Sequence, residues 1–270
     1  MRPFKKSRAL LFLSVVLLLA IAALLFLRLR ASNTLARSIS PHSSRMNAFP
    51  KLFLWAWERP EQLDFIDPRA VGVAFLARTI YLRNDTLVER PRLQPLKVPT
   101  GTTLIAVVRI ESARQAPPAL SDRQRAELAG ALALVSRQPD ISALQIDFDA
   151  TESERKFYRA LLKDVRRRMP ESMPLSITVL ASWCIFDNWL DDLPIDEAVP
   201  MIFDMGVDQH RINNYLETGG DFRSPLCRSS VGISVDQPAA SLSSDRRFYL
   251  FNSQPWTEST LRHALERSRQ

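Results

Sequence analysis

The sequence predicts an α/β fold, a (βα)8 barrel with some helices shortened, and three observations carry the prediction. Eight short runs rich in β-branched and aromatic residues recur between residues 51 and 251, most of them separated by a helical or crossover segment. The fourth run, Leu144-Gln145-Ile146-Asp147-Phe148-Asp149, ends in carboxylates and leads at once into the amphipathic stretch Glu154–Met169. A strand that ends in acids and feeds a helix is how side chains reach the mouth of such a barrel. Glycine totals only seven, with no Gly-rich strand-to-helix turn, which counts against a doubly wound open sheet and against a nucleotide phosphate loop.

The first strand is Leu52–Trp57 and the second Val71–Leu76. Thr79–Leu82 and Leu87–Glu89, parted by Arg83-Asn84-Asp85, read as a hairpin where a helix would otherwise stand. Leu104–Ile110 is the third strand, followed by a helix from about Ser121, a good N-cap, to Arg137. Leu144–Asp149 is the fourth, with its helix through Met169. Leu175–Trp183 is the fifth, followed by a short helix near Asp187–Leu190. Val199–Met205 is the sixth, with a helix near Asp208–Leu216. Val231–Val235 is the seventh and Phe248–Phe251 the eighth, and a last helix runs from about Glu258 to Arg267.

Ahead of the barrel, Ala9–Leu27 is a 19-residue apolar run broken only by Ser14. At 1.5 Å per residue it spans about 28 Å, close to the hydrocarbon thickness of a bilayer. Arg2, Lys5, Lys6 and Arg8 precede it, which favours a cytoplasmic N-terminus, although Arg28 and Arg30 weaken the bias. A cleavable signal peptide is the rival; its small-x-small site, Ala20-Ile21-Ala22, would lie inside the apolar run, which favours an uncleaved anchor. The expected organisation is an anchor over residues 1–30, a Ser- and Arg-rich tether over 31–48 and the barrel over 49–270, outside the cytoplasm (periplasmic).

The net charge of +7 arises in the leader. Residues 1–48 hold eight basic side chains and no acidic one, so the remainder carries 28 basic against 29 acidic residues, a charge of −1. That excludes a basic footprint for nucleic acid on the folded part. The two cysteines, Cys184 and Cys227, fall at opposite ends of strands in this reading, too far apart for the roughly 5.5 Å Cα spacing of a disulfide, and two free thiols are expected.

Strand alternation puts Asp147 and Asp149 on one face, about 7 Å apart. Two like charges aimed at one place destabilise a fold unless the place is wet, metal-bound or catalytic. An edge strand with a solvated acidic face is the plainer alternative, and the βα flank argues against it. Other strand-end acids are Glu58, Glu111, Asp204 and Asp236. Only three histidines exist, His42, His210 and His263, none at a strand end beside an Asp, and no G-x-S-x-G elbow appears, so a Ser-His-Asp triad and a zinc site are poorly supported. An oxygen-only Ca²⁺ or Mg²⁺ site at Asp147 and Asp149 stays open, but no cofactor is expected. What remains is carboxylate chemistry of the kind that hydrolyses glycosides, which needs two carboxyl groups with pKa values pushed apart. Trp55 and Trp57 at the end of the first strand, Trp183 at the end of the fifth with Trp189 just after it, and Trp256 after the eighth are candidate platforms for the apolar faces of sugar rings, with core packing the plainer role for each.

Three stretches carry a resemblance: Gln145-Ile146-Asp147-Phe148-Asp149-Ala150 with Phe157-Tyr158 downstream; Leu180-Ala181-Ser182-Trp183-Cys184 with Leu193-Pro194 and Glu197-Ala198-Val199-Pro200-Met201; and Gly232-Ile233-Ser234-Val235-Asp236-Gln237-Pro238. Together, over roughly residues 50–255, they resemble a bacterial family of uncharacterised proteins, a domain of unknown function held to be glycoside-hydrolase-like barrels. The resemblance implies Asp-Glu-Pro at the seventh strand, where this chain has Gln237. The fourth strand also looks like that of chitinase-type barrels, whose pattern ends D-x-D-x-E; here Thr151 occupies the last position, so that group's substrate-assisted mechanism does not carry over. Retaining barrels with carboxylates on strands four and seven are a further likeness, matched by Asp149 and Asp236. The reading is a membrane-tethered barrel acting on a polysaccharide or glycan, with Asp149 as acid/base, Asp147 tuning and orienting it, Asp236 as nucleophile or base and Glu111 in reserve. The competing class is a non-catalytic glycan-binding barrel in an envelope assembly. A metal-dependent phosphodiesterase stands third.

Overall fold

Parallel strand pairing closes on itself. In the computed structural model, which describes residues 45–237 and 245–267, eight strands run β1 (Leu52–Ala56), β3 (Val71–Arg83), β6 (Leu104–Ser112), β7 (Ile141–Asp147), β8 (Leu175–Leu180), β9 (Glu197–Met201), β10 (Ser230–Ser234) and β11 (Arg247–Phe251), and β11 pairs back onto β1. Every pairing around the ring is parallel, so all eight C-terminal ends open at one mouth. The chain divides into two units, Met1–Pro41 and His42–Gln270, and the described residues lie in the second. The predicted anchor over residues 9–27 and most of the predicted tether lie outside the described residues. Among the described residues no helix is long and apolar enough to cross a membrane.

Local sequence explains most elements. Ser121 caps α1 (Asp122–Val135), its hydroxyl accepting from the Gln124 N–H at 3.0 Å. The fourth strand feeds α2 (Arg155–Arg168) through a 3₁₀ turn at Glu152–Glu154, where Thr151 and Glu154 form a capping box. α4 (Gln209–Glu217) and α5 (Glu258–Arg267) complete the longer helices. Between β3 and β6 there is no helix among the described residues: β3 runs on to Arg83 and folds back as β4 (Thr86–Pro91), an antiparallel hairpin as the Arg83-Asn84-Asp85 turn predicts. A two-stranded patch of β2 (Glu61–Gln62) and β5 (Leu96–Lys97) covers part of the same side.

The fifth strand departs from expectation. It stops at Leu180, and Ala181–Phe186 is a helix, α3. That turn carries Trp183 and Cys184 out of the strand and into the outer layer, where both are buried. The loop after α4 reaches α3, with the N–H groups of Arg223 and Ser224 donating to the Cys184 carbonyl. Cys184 and Cys227 are joined as a disulfide with a Cα spacing of 6.0 Å, which corrects the expectation of two free thiols. Strand parity alone put the two cysteines at opposite ends; the helix and the returning loop bring them together.

The inside of the barrel is filled. Phe53, Trp55, Ala74, Ile105, Val107, Ala143, Val199 and Tyr249 form one inward cluster, and Met46, read from sequence as tether, is buried among them. Gly72 is needed there: a Cβ at that position would lie 2.3 Å from the Phe53 ring. At the end opposite the mouth sits a polar network. Arg247 pairs with Glu197 and donates to the carbonyls of Pro50 (3.0 Å) and Met46 (2.6 Å); Glu197 also accepts from Tyr249 Oη (2.7 Å) and Ser176 Oγ (3.2 Å). Both charged groups are buried.

Candidate functional site

Asp147 is the last residue of β7 and points into the mouth. Its Oδ1 accepts from the Thr178 hydroxyl at 2.6 Å and its Oδ2 from an Arg109 Nη at 3.3 Å. Arg109 lies on the neighbouring strand and donates through Nε to Glu111, two residues further along, at 2.7 Å. Burial pushes the Asp147 carboxyl above the usual carboxylate range; the Thr178 hydroxyl and the Arg109 guanidinium pull it back, and the charges of Asp149 and Glu111 push it further up. Asp149 stands two residues beyond, past the end of the strand, exposed and without a hydrogen bond. Asp147, Asp149, Glu111 and Arg109 line one cleft of about 480 Å³, with Ser112, Arg114 and Glu154 on its walls. The shared parity of the two aspartates therefore delivers them to one open place at the mouth.

Glu154 is the fourth acid in the cleft and lies close to the position that Thr151 leaves without one. It is fully used: Oε2 accepts from the Thr151 N–H and hydroxyl, both at 2.7 Å, and Oε1 from the Ser112 hydroxyl. A buried carboxylate with three donors is an anchored helix start rather than a proton donor. Asp236 does not line the cleft. It follows β10 and accepts from the Ser253 N–H at 3.0 Å. Gln237, which replaces the Glu that the resemblance implies, exchanges hydrogen bonds with Asp204 across to the loop after β9. Glu58 pairs with Arg90 of the hairpin. Among the described residues no group of three or more His, Cys, Asp or Glu is arranged to hold a metal ion.

The tryptophans divide. Trp57 is half-buried at the mouth, with the Arg109 guanidinium 5.3 Å from its ring centroid. Trp55 is inside the barrel, 3% exposed, stacked between Trp57 and Phe251. Trp183 packs edge-on against Trp189 in the outer layer, under Arg155. Trp256 packs on the outer face of β1 with Leu54 and Leu63 and donates to the Trp55 carbonyl at 3.0 Å. Trp55, Trp183 and Trp256 are each at most 5% exposed, so they show no ring face to a ligand, which corrects the expectation of four rim platforms. The rim aromatics that sequence reading missed are Phe203 and Phe251, half-buried and 4.7 Å apart. Phe251 could have been found from its parity with Arg247 and Tyr249 on the eighth strand.

The Asp147 environment has a consequence for stability. The folded state binds this proton more tightly than the unfolded chain, whose carboxyl titrates at about 3.9. Stability therefore falls as pH rises from there through the raised folded value. Asp147→Asn removes that contribution. Urea unfolding from pH 4 upward should show a shallower decline for the variant than for the wild type. An equal or steeper decline in the variant would mean that the surroundings favour the carboxylate.

No protein-family model matches the chain, and no curated protein matches it. Among solved structures the chain is similar to the chitinase domain of the spore coat protein CotE from Clostridium difficile, with 12% identity and a TM-score of 0.40. The match covers 84% of this chain and 64% of that one. The barrel and its mouth rest on the strand pairing and the side-chain geometry, not on this likeness.

Proposed function

We propose that the barrel mouth binds a polysaccharide or glycan and hydrolyses it by carboxylate chemistry. The observation that carries the reading is a pair of acids in contrasting surroundings that share one cleft with Asp147: Glu111 half-buried and paired with Arg109, Asp149 exposed and without a hydrogen bond among the described residues. Glycoside hydrolysis asks for such a contrast, one group to give and take a proton and another to act as the anion. Asp149 is the acid/base, free to approach a glycosidic oxygen. Asp147, held by Thr178 and Arg109, fixes the strand end beside Asp149. Glu111 takes the role of nucleophile or base that the sequence offered first to Asp236, because Glu111 shares the cleft and receives the Arg109 N–H. Trp57, Phe203 and Phe251 offer apolar faces at the rim to sugar C–H groups. The resemblance of the three sequence motifs to glycoside-hydrolase-like barrels points the same way.

The chain is held at the membrane by residues 9–27, with the barrel outside the cytoplasm. The apolar run and its leading basic residues support this placement. So does the Cys184–Cys227 disulfide, since such bonds persist in oxidising compartments.

Sugar release and glycan binding by wild type and Asp149→Asn, over a panel of envelope and secreted polysaccharides, test the reaction. An amide neither donates as an acid nor accepts a proton as a base, so release should fall by about 10²–10⁴-fold while binding persists. Binding by both proteins with release by neither would replace hydrolysis by the non-catalytic glycan-binding reading.

A further inference from the structure

The carboxylate cleft does not end at the mouth. It shares Ala113 and Arg114 with a second groove of about 470 Å³ that runs toward the β3–β4 hairpin and is walled by Tyr81, Arg83, Val88 and Gln115. The two make a continuous trough, and its charge reverses along the way. Asp147, Asp149 and Glu111 line the first part; no acidic residue lines the second, which carries Arg83 and Arg114. Both arginines are exposed, and neither side chain makes a hydrogen bond or ion pair with the described residues. Their neighbours are committed: Arg78 pairs with Glu89, Arg90 with Glu58, and Arg109 with Glu111 and Asp147.

The trough wall is built, not loose. The Ala113 N–H donates to the Leu82 carbonyl, the Asn84 N–H to the Ala116 carbonyl, and the Ala119 N–H to the Asn84 carbonyl, so the segment 113–119 is laced to the hairpin that stands in place of a barrel helix. Tyr81 sits beside Glu111 in the β3–β6 register and bridges the two parts. Half-buried Tyr81 and exposed Val88 give the second part an apolar floor of the kind a sugar ring can lie on.

The geometry points to an anionic oligosaccharide as the ligand, with an uncharged unit at the carboxylates and an acidic substituent, a uronate carboxylate or a sulfate ester, at Arg83 and Arg114. The assignment rests on the glycan reading of the mouth. Guanidinium groups suit carboxylate and tetrahedral oxyanions, either of which can accept two parallel N–H bonds. An acidic group placed instead at the mouth would face Asp147, Asp149 and Glu111, so charge also fixes the direction in which the chain lies.

The test is binding by the full-length chain in detergent, at low and high salt. The probes are a neutral hexasaccharide, the same chain carrying a uronic acid at one end only, and the same chain carrying a sulfate ester at that end only. Wild type should bind at least one anionic probe about ten- to a hundredfold more tightly than the neutral one, the scale of one charge-assisted hydrogen bond or slightly more, and salt should shrink the margin. Preference for the uronate or for the sulfate separates the two sources of charge. Arg83→Gln/Arg114→Gln should lose the preference and unfold within about 0.5 kcal/mol of wild type, as exposed substitutions do. Asp149→Asn should keep the preference, so a protein that binds the anionic probe but releases no sugar would overturn hydrolysis and leave this assignment standing. Equal affinity of wild type for charged and neutral probes, binding of neither, or a preference that survives the double substitution would overturn it.

Discussion

Arg247→Met should destabilise the fold by about 3–5 kcal/mol, the cost of leaving one member of a buried ion pair without its partner. Arg247 and Glu197 stand at the N-terminal ends of β11 and β9, inside the barrel and away from solvent. Glu197 would retain Tyr249 Oη and Ser176 Oγ as donors but lose the cation. The Pro50 carbonyl would lose the Arg247 donor as well, and the Met46 carbonyl would keep only the Phe49 N–H, which loosens the entering segment ahead of β1. For a domain of this size 1 kcal/mol moves Tm by about 2–4 °C, so the shift should be on the order of 6–20 °C. Adding Glu197→Gln should recover part of the loss, because the uncompensated charge goes while the Pro50 carbonyl still lacks the Arg247 donor. Thermal and urea unfolding of the two variants checks this. A loss below about 1 kcal/mol for Arg247→Met would mean that water or another cation reaches Glu197.

Replacing both cysteines, Cys184→Ser with Cys227→Ser, should cost about 4 kcal/mol, the chain-entropy value for a closed loop of this length. The bond joins α3 to the turn Pro225–Cys227 across 43 residues, and it holds a long loop whose Arg223 and Ser224 N–H groups also donate to the Cys184 carbonyl. Reduced wild type should unfold near the double variant. The same bond bears on location. Full-length protein taken from cells should partition with membranes and show no thiol open to alkylation until it is denatured and reduced. Thiols that react before reduction would place the barrel in a reducing compartment. A soluble product with a new N-terminus near Leu24 would mean that the apolar run is a cleaved signal.

The elements were legible because strand and helix periodicity is a property of neighbouring residues. Leu104–Ile110 was read for a strand that spans Leu104–Ser112, the Ser121 cap stands where its hydroxyl predicts, and the Arg83-Asn84-Asp85 turn makes the hairpin. The meeting of Asp147 and Asp149 was legible for the same reason: parity along one strand needs no knowledge of any other. What depends on two distant segments was not. Trp183 carries the same signal in a strand end and in the first turn of a helix, and only packing against Trp189 shows which it is. The cysteines meet because a loop returns to α3, a path that no local pattern encodes. Glu197 and Arg247 lie just outside the strands read from sequence, fifty residues apart, and only closure of the barrel puts them face to face. Closure likewise leaves Glu111, and not Asp236, beside Asp149, because β6 and β7 are neighbours in the ring while β10 lies three strands from β7. Local pattern is enough to say which residues alternate along each strand. Which faces meet follows from strand order and loop path through space, and those exist only in the closed barrel.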